Sequence, residues 1–225
     1  MDTVGRGTRT AMVRAIEDNG AEFLLAMGRA AGAEEIAEPR LHWTIGGSPL
    51  AYHNSVVRAD LPPVEADAAI AASVERFRAH GVPGSWHVGP SMRPADLGTR
   101  LLAHGFTHVG EDIGMAADLA ALQQNLPAPA GLIVERVRDD GSLAAWAGVL
   151  GRSFGEGEAE AAWVQATYRR IGLGDDVPWR YYLGRLEGEP VATATLFISG
   201  DAAGVYFVST LPSARRQGIG AAVTR

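Results

Sequence analysis

A loop near the end of the chain combines residue types that bind anions. The stretch STLPSARRQGIG, from Ser209 to Gly220, places two arginines before two glycines, directly after a β-rich run. Unpaired amides at the start of a helix carry partial positive charge, and glycine lets a ligand approach the backbone closely. Guanidinium groups pair well with phosphate oxygens. The stretch therefore predicts a cradle for a pyrophosphate.

Two common phosphate-binding loops do not fit this stretch. A dinucleotide-binding fingerprint has its first glycine directly after the strand, whereas here Pro212 and five further residues intervene. Position 223, where a third glycine is sought, is valine. A Walker A loop needs lysine, and all 20 basic residues of this chain are arginine.

Composition narrows the function further. The chain has 225 residues, 47% hydrophobic content and a net charge of −6, so binding along a nucleic-acid backbone is not expected. The absence of cysteine excludes disulfides, thiolate metal sites and a cysteine nucleophile. No apolar run approaches the roughly 20 residues of a membrane helix, and the first residues do not resemble a secretory signal. We expect a cytoplasmic protein without a membrane partner.

The elements that must position the loop form an α+β pattern. The second half reads as a strand over 132–138, helices over 141–154 and 158–171, and then three strands joined by tight turns, which predicts an antiparallel meander. Helical residues resume at Gly220. The first half predicts helices over 12–31, 66–80 and 94–104, three strand segments among them, and a strand pair over 106–119.

A polar and then proline-rich segment separates the two halves. Gln123 to Gly131, with the sequence QQNLPAPAG, is typical of an interdomain linker. We therefore expect one domain over 1–122, a linker over 123–131 and a second domain over 132–225.

The loop and the order of elements before it resemble the GNAT superfamily of acetyl-CoA-dependent N-acetyltransferases. The hallmark Arg/Gln-x-x-Gly-x-Gly/Ala is matched from Arg215 to Gly220, and the preceding order of strand, two helices and three antiparallel strands is similar to that superfamily. The resemblance implies the acyl-CoA N-acyltransferase fold, a mixed and mostly antiparallel sheet flanked by helices in a three-layer α/β arrangement. It covers about 132–225.

The resemblance also implies a function and a set of binding residues. The chain is expected to transfer an acetyl group from acetyl-CoA to an amine of a small molecule or a protein, by direct attack of the unprotonated amine on the thioester while a strand amide stabilises the oxyanion. Backbone of the preceding strand would pair with the pantetheine arm, and the loop amides would hold the pyrophosphate of coenzyme A. The implied cofactor-binding residues are Val208, Ser209, Thr210, Arg215, Arg216, Gln217, Gly218, Ile219, Gly220 and Ala221.

The resemblance has further implications for the C-terminal end of the chain and for its first half. The usual valine of a Val-x-Pro signature is Thr210 here, and the superfamily continues beyond the loop helix, so the second domain is expected to be incomplete at its C-terminus. The first half resembles the later part of the same fold, with Gly105 and Phe106 matching a Gly-Phe pair. It is interpreted as a degenerate GNAT-like domain without a cofactor loop, which gives two GNAT-like lobes.

Several other features have a structural interpretation beside a functional one. GRSFG, from Gly151 to Gly155, matches a hydrolase nucleophile motif, but its helical spacing and the lack of a later histidine favour a helix C-terminus. The six histidines show no His-x-x-x-His pair, so no metal site is predicted. The acidic residues Glu158 and Glu160 could attract an amine, but charged residues are common near helix termini, which favours a solvated helix end.

Aromatic and hydroxyl side chains leave the catalytic residues unassigned. Trp163 and Tyr168 could line an acceptor pocket or belong to the core. Tyr206 and Ser209 could relay protons, but strict alternation places them on opposite faces of the strand. No general base is assigned, and a homodimer is left open. The alternative function is a catalytically inactive module that binds acyl-CoA or serves as a regulatory scaffold.

Overall fold

The computed structural model describes residues 6–121, 127–155 and 157–224. These fall into two compact units, Met1–Ala116 and Ala117–Arg225. Residues 123–126 of the predicted linker lie outside the described residues, and the predicted domain boundaries remain a prediction. Within the described part of the chain, no helix is both long and apolar enough to cross a bilayer.

The first unit contains a four-stranded sheet in the order β1-β2-β3-β4. Its first three strands are antiparallel, and β4 runs parallel to β3. Apolar side chains of the strands and of the second and third helices form its core. The elements are α1 (Arg6–Ala31), β1 (Glu34–Glu38), β2 (Leu41–Ile45), β3 (Asn54–Ala59), α2 (Pro63–Ala79), β4 (Ser85–Trp86) and α3 (Leu97–Ala103).

Two features of the first unit differ from the sequence-based expectations. Strand β1 was not predicted because its sequence, EEIAE, has only Ile36 as a large apolar residue. Acidic residues are typical of an edge strand, which this is. The predicted strand pair over 106–119 is wrong, since 106–118 has no regular secondary structure. Val109 and Ile113 are 95% and 85% exposed, so this segment has no buried face to stabilise strand pairing.

The second unit contains a four-stranded antiparallel sheet in the order β5-β6-β7-β8. The predicted meander of its last three strands is confirmed. The elements are β5 (Leu132–Arg136), α4 (Asp140–Phe154), α5 (Glu158–Ile171), β6 (Trp179–Leu186), β7 (Glu189–Ser199), β8 (Ala202–Thr210) and α6 (Ile219–Val223).

Both faces of the second sheet are covered by helices. Successive residues of a strand point to opposite faces, and Tyr181 and Tyr182 mark the two faces of β6. Tyr181 packs with Trp146 of α4 and Tyr168 of α5. Tyr182 instead packs with the cluster that includes Ile219 of α6. The loop before α6 thus joins the end of β8 to the helix that packs on the Tyr182 face of the sheet.

Helix α4 has a capping interaction at each end. Asp139 accepts a hydrogen bond from the Ser142 amide at 2.8 Å, and the Ser142 hydroxyl accepts one from the Asp139 amide, which forms a capping box. The helix ends at Phe154, and Gly155 adopts the left-handed conformation of a C-cap. GRSFG is therefore a helix C-terminus, as expected, and Ser153 is not at a strand-to-helix elbow.

Candidate functional site

Strand β8 lies at the edge of its sheet. It pairs with β7 on one side, and no strand of the described chain pairs with its other side. An edge strand presents backbone N–H and C=O groups that can pair with an extended ligand. The predicted residues Val208, Ser209 and Thr210 form the end of this strand.

A β-bulge interrupts β8 next to these residues. Tyr206 lies opposite Thr195 and Ser209 lies opposite Thr193, so that Phe207 and Val208 together face only Ala194. Phe207 has a φ of 49°, a left-handed value that a bulge can impose. Directly opposed residues point to the same face of a sheet. Tyr206 and Ser209 consequently share a face, and the expectation that they lie on opposite faces is wrong because the bulge adds one residue.

Buried hydroxyl groups support the bulge from within the sheet. The Thr193 hydroxyl donates to the Phe207 carbonyl at 2.7 Å, and it lies 2.7 Å from the Ser209 hydroxyl. Because a threonine hydroxyl has one proton, Ser209 must donate in the second bond. Both side chains are buried. The Ser209 proton is therefore committed to the protein interior, which argues against a role for Ser209 as a proton donor.

The loop after β8 presents successive amides without protein partners. A 3-10 turn spans Pro212–Ala214, and Arg216 and Gly218 then adopt left-handed conformations with φ of 64° and 81°. None of the amides of residues 216–220 donates a hydrogen bond to any described residue, and the first internal bond after them is that from the Ala222 amide to the Gly218 carbonyl. Ala221 makes an interaction within the protein and is not counted with them. A run of amides of this kind can form an anion-binding nest.

The two glycines of the loop have different structural roles. A Cβ at Gly218 would meet only Pro129 at 4.0 Å, but the positive φ makes any side chain there strained. Gly220 has an ordinary helical backbone, and a Cβ there would lie 3.8 Å from the Thr210 hydroxyl. Protein packing alone therefore does not require glycine at 220.

The two arginines of the loop also differ. Arg215 donates through Nε to the Thr210 carbonyl at 2.9 Å and through Nη2 to the Ser153 carbonyl at 3.2 Å. Arg216 is exposed, and no described residue forms a hydrogen bond or ion pair with its guanidinium. Gln217 is also exposed, whereas the Ile219 side chain is 1% exposed and anchors the loop in the core.

Comparison with known proteins identifies the fold. No protein-family model matches the chain, and no curated protein matches it. A GCN5-related N-acetyltransferase from Kribbella flavida is similar in structure, with a TM-score of 0.67 and 23% identity over 91% of this chain and 77% of that one. The chain has the GNAT fold. A functionally unknown conserved protein from Staphylococcus epidermidis is also similar, with a TM-score of 0.56 and 12% identity over 85% of this chain and 77% of that one.

The predicted fold class is thus confirmed. In the second unit, the observed order of strand, two helices and three antiparallel strands is the one expected from the sequence. Strand β8 contains the open edge and the bulge, and the amide-rich loop follows the end of that strand. The binding roles of the individual residues remain predictions.

Tyr168 lies in an aromatic cluster between the sheet of the second unit and helices α4 and α5. Its ring is completely buried and contacts Trp146, Tyr181 and Phe207. Burial raises the pKa of Tyr168 well above its ordinary value, so the phenol stays neutral. Tyr168 therefore belongs to the core, and it supports the bulge residue Phe207 from below. Trp163 is only half-buried.

Sequence reasoning missed a buried carboxyl group in the first turn of α5. Glu160 is 1% exposed, and its burial raises the pKa to about 7. Its neighbour Glu158 is exposed, so only Glu158 is the solvated helix-end residue that the sequence suggested. Helical spacing in the sequence could have indicated this burial, because Glu160, Val164 and Tyr168 are four residues apart and lie on one face of α5.

The histidines show no sign of metal chemistry. Across the described ranges, no three histidine, aspartate or glutamate side chains lie close enough together to hold a metal ion. The imidazole of His53 is buried, with Nδ1 2.8 Å from the Ser48 hydroxyl, and burial lowers its pKa to about 3. His53 is therefore neutral and structural.

Proposed function

We propose that the second unit binds acetyl-CoA along β8 and the following loop and transfers the acetyl group to an amine of a small molecule or a protein. The observation that carries this proposal is the run of amides at residues 216–220, which have no hydrogen-bond partner among the described residues and follow an open edge strand of a GNAT fold. The fold alone does not fix an activity, so the local geometry is the stronger argument.

The diphosphate of coenzyme A matches the loop in charge and shape. Arg216 and Gly218 are left-handed, and left-handed residues among successive amides are typical of nests that bind anionic oxygens. The exposed guanidinium of Arg216, which forms no hydrogen bond or ion pair with any described residue, adds a positive charge. With no lysine in the chain, backbone amides and arginine are the groups available for this purpose.

The pantetheine arm matches the open edge of β8. Its amide groups can pair with the backbone of Val208, Ser209 and Thr210 as an added strand does. The bulge at Phe207 interrupts the regular ladder at the point where such a ligand would reach the thioester. Backbone amides of the bulged segment are then available to stabilise the developing oxyanion.

The chemistry requires little from the side chains of this chain. Acetyl-CoA supplies the thioester; the amine nitrogen forms a bond to its carbonyl carbon, the carbon–sulfur bond breaks, and the amine proton passes to the thiolate or to solvent. Burial raises the pKa of the Tyr206 phenol to about 12, so Tyr206 keeps its proton at neutral pH and cannot act as a base. No residue is assigned as general base, and the amine must arrive unprotonated.

A coenzyme A release assay with a panel of amines tests the activity. The full chain is expected to release coenzyme A only when acetyl-CoA and a suitable amine are both present. Calorimetric titration with coenzyme A accompanies the assay. Binding without turnover across the panel would support the alternative of a non-catalytic binding module, and absence of coenzyme A binding would overturn the proposed site.

Substitution of Gly218 tests the assignment of the loop. In Gly218→Glu a carboxylate is placed among the phosphates, and we expect coenzyme A affinity to fall at least about 100-fold from charge repulsion and backbone strain together. Gly188→Glu is the matched control, because Gly188 has a φ of 89° and equally open space in the turn between β6 and β7. Unchanged affinity in Gly218→Glu, or an equal loss in both variants, would contradict the assignment.

A further inference from the structure

The guanidinium of Arg215 connects three parts of the second unit. Its Nε and Nη2 atoms reach the carbonyls of Thr210, the last residue of β8, and Ser153, in the last turn of α4. The final carbonyls of a helix lack intrahelical partners and lie at the negative end of its dipole. A cation is therefore favourable at Ser153, and the planar fork of arginine can serve two acceptors at once.

The loop needs a restraint of this kind. Arg216 and Gly218 are both left-handed, and a left-handed conformation costs free energy at a residue with a side chain such as Arg216. The amides of residues 216–220 form no internal hydrogen bonds among the described residues that could hold this conformation. The Arg215 fork lies just before these amides, and the buried side chain of Ile219 lies among them.

We propose that Arg215 is a positioning residue, whose guanidinium holds the loop to β8 and α4, and that Arg216 alone supplies the side-chain charge for the phosphates. This inference rests on the proposed function for its ligand, although the restraint itself is a property of the protein. It departs from the interpretation of the sequence, in which both arginines contributed charge to the ligand. It also connects the C-terminal end of α4 to the ligand-binding loop.

The two roles predict different responses to salt and to conservative substitution. Arg216→Gln removes a charge that meets phosphate, so we expect coenzyme A affinity to fall about 10-fold at low salt and to depend less on salt than in the wild type. Arg215→Gln is expected to weaken binding to a similar extent while leaving the salt dependence unchanged. Arg215→Lys should not restore affinity, because an ammonium retains the charge but not the fork.

The experiment titrates the full chain and its variants by calorimetry with coenzyme A, and with pantetheine, which lacks the diphosphate, at about 50 mM and about 500 mM salt. Arg152→Gln is the matched control, since Arg152 is an exposed arginine of α4 that donates only to the Gly148 carbonyl of its own helix. It should behave as the wild type does. Pantetheine affinity should not change in Arg216→Gln.

A second measurement follows the loop without any ligand. Backbone ¹⁵N order parameters of residues 216–218 are expected to be near those of rigid backbone in the wild type and in Arg216→Gln, and to fall below about 0.6 in Arg215→Gln. Unchanged order parameters in Arg215→Gln, or full recovery of affinity in Arg215→Lys, would overturn the proposal. If the wild type does not bind coenzyme A, the proposed function fails, and the order parameters still decide whether Arg215 restrains the loop.

Discussion

At the scale of single residues, the hydroxyl of Thr193 has the largest structural consequence for the site. It is fully buried and satisfies both the Phe207 carbonyl of the bulge and the Ser209 hydroxyl. The neighbouring Thr195 on the same face is equally buried, and its hydroxyl approaches that of Tyr168 without forming a well-aligned hydrogen bond. Two threonines of one strand thus differ in hydrogen bonding alone.

This difference gives a paired prediction. Thr193→Val leaves the Phe207 carbonyl and the Ser209 hydroxyl without their buried partner, and we expect the free energy of unfolding to fall by about 1–3 kcal/mol. Thr195→Val removes a hydroxyl that has no hydrogen bond to lose, so it should be neutral or stabilising. Urea denaturation measures both. Equal destabilisation by the two substitutions would show that the bulge does not depend on the Thr193 hydroxyl.

Glu160 gives a prediction about pH. Its folded-state pKa of about 7 lies above the ordinary glutamate value of 4.5, so the folded protein retains a proton that the unfolded chain releases. Its contribution to stability is fully present below pH 4.5 and is lost as the pH rises through about 7. Glu160→Gln should therefore gain stability relative to the wild type as the pH rises from 4.5 to 8, by up to about 3 kcal/mol.

Urea denaturation at a series of pH values checks this difference. Glu158→Gln, an exposed substitution in the same turn, is the control and should leave the pH dependence of the wild type unchanged. A constant difference between Glu160→Gln and the wild type across the pH range would show that the carboxyl does not titrate in the way its burial implies.

At the scale of secondary structure, helix α4 carries the contacts that reach the loop. Its capping box fixes its first turn, and its last turn receives the Arg215 guanidinium. Between these ends, Trp146 donates to the Ala194 carbonyl, the residue that the bulge of β8 faces. The helix thus contacts the sheet at the bulge and the loop at its C-terminus.

Removal of the α4 cap tests how much the capping box contributes to stability. Asp139→Ala removes the side-chain acceptor of the Ser142 amide, and we expect the free energy of unfolding to fall by about 1 kcal/mol. Asp140→Ala is a suitable control, because the Asp140 carboxylate forms an exposed ion pair with Arg169 and no other side-chain bond to a described residue. A loss in Asp139→Ala no larger than in Asp140→Ala would mean that the capping box contributes little.

The elements also show which features the sequence could predict. Helices α4 and α5 and the β6-β7-β8 meander follow from apolar periodicity, glycine turns and a cap that are all local in sequence. The bulge at Phe207, the burial of Glu160 and the Arg215 contacts depend on partners far away along the chain. No local sequence pattern at Phe207 predicts its positive φ. The assumption that side chains alternate regularly along β8 therefore placed Tyr206 and Ser209 on opposite faces, which is wrong.

At the scale of the whole molecule, the two units differ in the connection that follows an antiparallel strand. Strand β3 of the first unit is followed by helix α2, and strand β8 of the second unit is followed by helix α6. In the first unit the connection after β3 has its Asp60 and Leu61 amides bonded to the carbonyls of Arg40 and Arg93, and Pro62 and Pro63 have no amide protons. This connection cannot form a nest of amides. We therefore expect one coenzyme A to bind per chain, in the second unit.

The central claim is that the amides of residues 216–220 bind the diphosphate of coenzyme A. A titration of the ¹⁵N-labelled full chain with coenzyme A, followed by amide chemical shifts and repeated with pantetheine, tests it most directly. We expect the largest shift changes at residues 216–220. Pantetheine should not reproduce them, and the amides of Asp60 and Leu61 should not respond. Saturation with coenzyme A that leaves the amides of residues 216–220 unshifted would contradict it.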